Sequence, residues 1–276
     1  MQFKNLSQKC NYYRTLADHR LLPNSYVLVT IDGRSFSHKI KKKFNLPYDE
    51  NFVYMMDETA KYVCKNVQGC KFAYVQSDEI SFILTDFDTP TTDAFFGNRL
   101  CKIQSIIASM ATSKFNNLMT QFQLENLSYD KLKDGFYSVN DAIRVVSEMP
   151  LYEFDCRAWN VPSYNDVFAH FLWRQIDCVR NSKQVAAQTY IPHKELLNKD
   201  TDEQIKKLKE DKAIDWHEYE DGYKYGRFVY KITEMKMIDG DCCVNRNVWK
   251  AFPAFPLMDD NGRTNFEKVC VLPKIN

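Results

Sequence analysis

The sequence predicts an α+β fold, an antiparallel sheet with helices on its flanks, from three observations. Phe72 and Tyr74, then Ile80, Phe82 and Leu84, alternate at period two about a polar turn, as two strands of a hairpin do. Val27, Val29 and Ile31 form a second alternating run that ends in Asp32-Gly33-Arg34. Two further segments carry apolar residues at helical spacing: Phe52, Met56, Ala60, Val63 and Val67, and then Leu100, Ile103, Ile107, Met110 and Leu118. The resulting β-α-β-β-α order matches a palm-like, ferredoxin-type core.

Taken in order, residues 1–22 read as a short helix with Tyr12, Tyr13, Leu16 and Leu21 inward, stopped by Pro23-Asn24. The first strand spans Tyr26–Ile31. A basic run, His38-Lys39-Ile40-Lys41-Lys42-Lys43, fits either a solvated loop or a phosphate-facing patch. Asp49 is positioned to cap the next helix, and strands at 71–77 and 80–86 follow. The second helix is expected from near Asp93, with Phe96 on its apolar face and Arg99, Lys102, Ser105 and Ser109 on its polar face. Ala142–Val146 reads as a strand, as does Phe154–Val161. Asn165–Ser182 reads as a helix begun by Ser163 or Asn165, with Val167, Phe171, Gln175/Ile176 and Val179 inward. The charge-dense stretch 194–214 suggests one or two exposed helices, and Tyr225–Ile232 a terminal strand. With no repeat and no flexible linker, residues 1–150 are expected to form the catalytic core. Residues 151–276 complete the same compact unit with a helical C-terminal appendage.

A length of 276 residues with 45% hydrophobic content describes a folded globular chain. Lys plus Arg number 37 against 36 Asp plus Glu, so any nucleic-acid contact must come from local patches. The nine cysteines show no Cys-x-x-Cys pair. Together with the absence of a signal peptide at Met1 and of any run of membrane length, this predicts reduced thiols, a cytoplasmic location and no membrane partner.

The hairpin turn carries Asp78 and Glu79 beside Ser77, and Asp32 ends the upstream strand. Two strand-end carboxylates on neighbouring strands suit Mg²⁺, which takes one or two carboxylates, water and substrate phosphate oxygens. Glu79 is set aside, because consecutive strand residues point to opposite faces.

Ile31-Asp32-Gly33-Arg34-x-Phe36 and Gln76-Ser77-Asp78-Glu79-x-Ser81-Phe82, followed by Phe154-Asp155-Cys156-Arg157 and Trp173-Arg174-Gln175-Ile176-Asp177, resemble the tRNA(His) guanylyltransferase superfamily. The resemblance implies a nucleotidyltransferase that extends RNA at its 5′ end, with ATP, GTP and other nucleoside triphosphates as substrates, tRNA as partner, and often a homotetramer. It implies two Mg²⁺ ions held by Asp32, Asp78 and the Gly33 carbonyl. It further implies a nucleotide cradle from Arg34, Ser35, Phe36 and Ser37 with Ser77, and a grip on the activating triphosphate by Lys102 and Arg157. Where family members carry Lys-Pro-Asn-Asp this chain has Leu46-Pro47-Tyr48-Asp49. Where tRNA(His) enzymes carry His-Ile-Asn-Asn it has Val179-Arg180-Asn181-Ser182. The latter resembles the branch that repairs 5′-truncated tRNA by templated addition, with Arg180 and Asn181 toward RNA; for Arg180 an ion pair with Asp177 is the alternative. Three rival activities remain: untemplated G addition to tRNA(His), a nucleotide cyclase on the same palm core, and a non-catalytic RNA-binding module.

Overall fold

The computed structural model describes residues 3–40, 43–132, 139–238 and 242–275. Lys41 and Lys42 of the basic run lie outside them. Six strands form one antiparallel sheet: β1 (Tyr26–Gly33), β2 (Cys70–Gln76), β3 (Glu79–Leu84), β4 (Phe154–Val161), β5 (Arg227–Ile238) and β6 (Cys242–Pro253). Their order is β4-β1-β3-β2-β5-β6. The expected α+β architecture is therefore present, and strands from both halves of the sequence share the sheet.

Alternation along each strand divides the side chains between two cores. Val27, Val29, Ile31, Ile80, Phe82 and Val75 face one side, under α3 (Glu50–Asn66) and α4 (Leu100–Leu132). Leu28, Ile83, Phe72, Tyr74 and Phe228 face the other, under α6 (Tyr164–Tyr190) and α10 (Gly262–Val269). The cap of α3 is as expected: the Asp49 carboxylate accepts from the N–H groups of Asn51 and Phe52, two donors that helix geometry leaves unpaired. Ser163 caps α6 in the same way through the Asp166 N–H. The C-terminal half of α6 packs with α7 (His193–Leu196) and α8 (Thr201–Lys212) around Ala186, Leu208 and Trp216, which forms the helical appendage.

Several boundaries differ from the sequence reading. The first helix, α1 (Leu6–Thr15), buries none of its residues and ends well before Pro23. A short α2 (Phe36–Ile40) follows β1 directly. Residues 95–98 form a 3₁₀ turn with Phe96 in a left-handed conformation (φ 51°), so α4 starts at Leu100 and Phe96 is exposed. Ala142–Val146 is helical, within α5 (Val139–Glu148) beside α4, with Ile143 and Val146 exposed. Within α6, Gln175 is the inward residue and Ile176 faces solvent. After the short α9 (Asp221–Lys224), β5 pairs with β2 only over Arg227–Tyr230. Beyond that it pairs with β6 to Ile238, and the two run on as a ribbon.

Phe72 lies in the middle of the second core, fully buried, with its ring 5.1 Å from Phe171 and 5.2 Å from both Phe228 and Phe266. Phe72→Ala removes a ring that these neighbours cannot collapse to replace, and should cost about 3–5 kcal/mol in urea unfolding. Phe72→Leu should cost clearly less.

Candidate active site

The register of β1 builds the site. Asp32 stands opposite Glu79 on β3 and opposite Asp155 on β4. Directly paired residues of antiparallel strands project on the same face, so these three carboxyl groups share one end of the sheet. Asp78 occupies the β2–β3 turn, and its carbonyl accepts the Gly33 N–H at 3.2 Å, which ties the two acid-bearing segments together. Ser77 is held at φ 45°, and its hydroxyl donates to the Asp78 carboxylate at 3.0 Å.

Crowding of negative charge shows in the titration of these groups. Burial raises the Asp32 carboxyl above its ordinary range, and the charges of Glu79 and Asp155 add to it; Arg157 and the Gly33 N–H pull in the opposite direction. Burial pushes Asp78 up to about 6, with Asp32 and Glu79 adding to the shift against hydrogen bonds from Ser77 and its own backbone. Such a pair fits a divalent cation, which would relieve the repulsion. Among the described residues no three His, Cys, Asp or Glu side chains converge on one point. Asp32 and Asp78 would therefore share a cation with main-chain oxygen, water and substrate phosphate, the donor set that Mg²⁺ prefers.

The alternation that would turn Glu79 away from the acid side does not apply in the structure, although its carboxylate is taken by Arg174. Asp78 is a turn residue, so strand alternation does not relate it to Glu79, and it is Glu79 that pairs across from Asp32. Its carboxylate accepts from Gln76 Nε2 at 2.8 Å and is ion-paired with Arg174 of α6. Arg174 is itself buried and also holds Asp177, at 3.0 Å. Within Trp173-Arg174-Gln175 the sequence pattern assigns Arg174 no role. An arginine aligned with the inward face of a helix, between Phe171 and Cys178, was the available signal.

The remaining predicted residues divide. Ser35 has φ 57° and leads into α2 at Phe36, which is buried against Phe115 and Phe154. Arg34 is exposed and lies 3.8 Å from Glu153. Ser37 belongs to α2, and its side chain lies outside the described set. Arg157 is exposed on β4, paired with Thr30 two residues before Asp32, and is only loosely engaged by Asp155 at 4.0 Å. Arg180 is ion-paired with Asp177, and Asn181 donates to the same carboxylate at 3.3 Å.

Lys102 is not brought to the site. Leu100 bonds to His19 and Asn98 to Asp86, which fixes the start of α4 beside the far end of β3. Only at Thr112 and Asn116 does α4 reach Phe154 and Tyr152, near the acids. Ten residues of helix separate Lys102 from that point, about 15 Å. Lys102 and Arg157 of one chain thus lie toward opposite ends of the sheet.

Beside the acid turn is a cavity of about 470 Å³ between the 44–49 loop, the start of α3, the C-terminal half of α6 and α9. Tyr48 and Tyr223 form one wall, stacked at 4.5 Å and 7°. Asp78, Asn181 and Ser182 supply polar groups at its rim. Its volume and its aromatic, partly polar lining suit a nucleoside-sized ligand.

Residues 8–162 match the family model described as tRNAHis guanylyltransferase. The chain is 30% identical over 168 residues to tRNA(His) guanylyltransferase 1 of Arabidopsis thaliana, a match covering 60% of this chain and 25% of that protein. A bacterial tRNA(His) guanylyltransferase-like protein solved in complex with ATP is 29% identical with a TM-score of 0.78, covering 97% of this chain and 100% of that one. The same description in complex with GTP gives 29% identity and a TM-score of 0.72, over 97% and 99%.

The raised Asp78 carboxyl fixes a pH dependence. Its folded value of about 6 lies above the ordinary 3.8, so the folded state holds the proton more tightly, and this contribution to stability is lost as pH rises through 6. In cation-free buffer, Asp78→Asn should flatten the fall in thermal midpoint between about pH 4 and 6. Saturating Mg²⁺ should raise the wild-type midpoint more near neutral pH than in acid, and do so less for Asp32→Asn and Asp78→Asn. Equal Mg²⁺ shifts in all three proteins would remove the two acids from cation binding.

Proposed function

Because the chain belongs to the tRNA(His) guanylyltransferase family, we propose that it is a nucleotidyltransferase acting on the 5′ end of tRNA. In this reading it rebuilds shortened acceptor ends in the 3′-to-5′ direction by copying the opposite strand. The observation that carries the reading is the β1 register, which sets Asp32 beside the Asp78 turn next to a nucleoside-sized cavity. The bacterial neighbours were solved with ATP and with GTP, and the same two nucleotides are proposed as substrates here.

In the first step an RNA 5′-monophosphate oxygen attacks the α-phosphorus of ATP, forming a phosphoanhydride and releasing pyrophosphate. In the second the 3′-hydroxyl of the incoming nucleotide attacks the RNA 5′ phosphorus. Its proton goes to solvent, and AMP leaves. An RNA that already bears a 5′-triphosphate needs only the second step and releases pyrophosphate. Mg²⁺ bound at Asp32 and Asp78 would supply charge neutralisation at the phosphates and activation of the hydroxyl. The loop from Arg34 to Phe36 orients the triphosphate, Ser77 steadies Asp78, and the cavity takes the nucleoside. Arg157, exposed on the Asp32 face of β4 and no closer than 4.0 Å to Asp155, grips the activating phosphate. Lys102 can reach that phosphate only from a second copy of the chain, which accords with an oligomer.

The Val179-Arg180-Asn181-Ser182 segment favours templated repair over addition of a single unpaired G. Arg180 lies 63% exposed at the cavity end of α6 and can trade Asp177 for an RNA phosphate, a contact that positions RNA without reading its sequence. Base selection then falls to pairing with the opposite strand.

An extension assay on a 5′-truncated tRNA with all four nucleotides tests this. Asp32→Ala and Asp78→Ala should each lower addition about a thousandfold or more while the protein stays folded by circular dichroism. Arg157→Ala should lose about a hundredfold, most on 5′-monophosphate RNA. Changing the template base should change the added base to its complement. Addition of G whatever the template would instead establish the untemplated activity.

A further inference from the structure

Helix α6 runs from the acid turn into the cavity. Arg174 holds Glu79 and Asp177, and Asp177 accepts from Asn181, so the carboxylates mark where the run begins. Asn181, Val185 and Gln188 then follow at i, i+4 and i+7, on one face of the helix, and all three line the cavity. Seven residues of helix carry Gln188 about 10 Å beyond Asn181, the length of a nucleoside. Other polar groups on the wall are committed to the protein. The Tyr48 hydroxyl donates to the Ser182 carbonyl at 3.2 Å, and the Thr189 hydroxyl to the Val185 carbonyl at 2.8 Å. The Asp49 carboxylate takes the Asn45 N–H besides the two helix N–H groups it caps. Among the carboxamides of the wall, Gln76 serves Glu79 and Asn181 serves Asp177. Asn45 stands on the 44–49 loop, and Gln188 stands exposed on the helix.

A base copied from the opposite strand must face that strand, so a cavity walled by protein cannot hold the base of the incoming nucleotide. The nucleoside that suits it is the one that never pairs, that of the activating triphosphate. Resting on the proposed function, we infer that Gln188 reads the base of this activating nucleotide and selects adenine over guanine. On the outer edge of a purine, adenine presents the 6-amino donor beside the N7 acceptor, whereas guanine presents two acceptors. A carboxamide complements the first and sets its carbonyl against O6 of the second. The Tyr48–Tyr223 stack supplies a flat wall for the ring. With adenosine in the cavity and the α-phosphorus at Asp32 and Asp78, the RNA 5′ phosphate attacks from the open side. AMP later leaves toward the cavity while the incoming nucleotide pairs outside it, so neither ligand obstructs the other.

Titration calorimetry of the full chain with ATP and with GTP, each as its Mg²⁺ complex, tests the inference without turnover. Wild-type protein should bind ATP about tenfold or more tighter than GTP. Gln188→Ala should remove that preference, chiefly by weakening ATP. Gln188→Arg, whose guanidinium matches O6 and N7 together, should reverse it, and Asn45→Ala should keep it. Extension assays then use a template base that calls for C, so that ATP serves activation alone. There Gln188→Ala should raise the KM for ATP about tenfold on 5′-monophosphate RNA and impair 5′-triphosphate RNA much less, since that RNA needs no adenylyl transfer. Equal wild-type affinity for the two nucleotides would overturn the inference, as would an ATP preference that survives Gln188→Ala or is lost with Asn45→Ala instead. Equal losses on the two RNAs would also overturn it, by giving the cavity to the incoming nucleotide. Failure of wild-type protein to extend any RNA would defeat the proposed function and leave the binding ratios readable.

Discussion

The register of β1 between β3 and β4 is the constraint on which the site depends. A slip of one residue would send Asp32 to the opposite face, beside Ile80 and Phe82, and turn Val29 and Ile31 out of their core. That slip is forbidden because Val27, Val29 and Ile31 must meet Ile80, Phe82 and Leu84 under α3 and α4, while Leu28 must meet Ile83 under α6. Two cores, one on each face, lock the alternation twice. Mutual repulsion of the carboxylates at the end of the sheet is imposed by the burial of apolar side chains along its length.

Arg174 manages part of that repulsion. Glu79 would otherwise place a full charge beside Asp32 and Asp78, and its pairing with a buried guanidinium offsets that charge and fixes the carboxylate in place. A buried ion pair contributes little net stability, since desolvation cancels much of the attraction, but it restricts geometry. Arg174 also reaches Asp177, which takes Arg180 and Asn181, so the polar network continues along α6 to the rim of the cavity. The helix covering one face of the sheet thereby carries charge from the acid turn to the nucleoside-sized space.

Helix direction explains how two cations expected together came to lie apart. Sequence spacing says which face of α4 carries Lys102, but not which end of the sheet that turn covers. The answer came from contacts distant in sequence, Leu100 with His19 at one end and Asn116 with Tyr152 at the other. Arg157 needed no such information, since it lies on a strand two residues out of step with Asp32 and shares its face.

The sequence by itself determined the alternating strands of the hairpin and of β1, the Asp49 cap, the paired strand-end acids and the ordered motifs that point to the family. All of these are local patterns, set by side-chain period, turn chemistry and spacing along the chain. It misread Ala142–Val146, which is helical beside α4 with Ile143 and Val146 exposed, and Glu79, where a turn broke the alternation that strand logic assumed. Only the tertiary structure decided that Glu79 faces Asp32, that buried Arg174 joins it to α6, and that Lys102 lies at the other end. Each of those facts depends on which elements become neighbours. Neighbours are chosen by the burial of whole faces, a sum over many residues far apart in the chain that no single stretch of sequence contains.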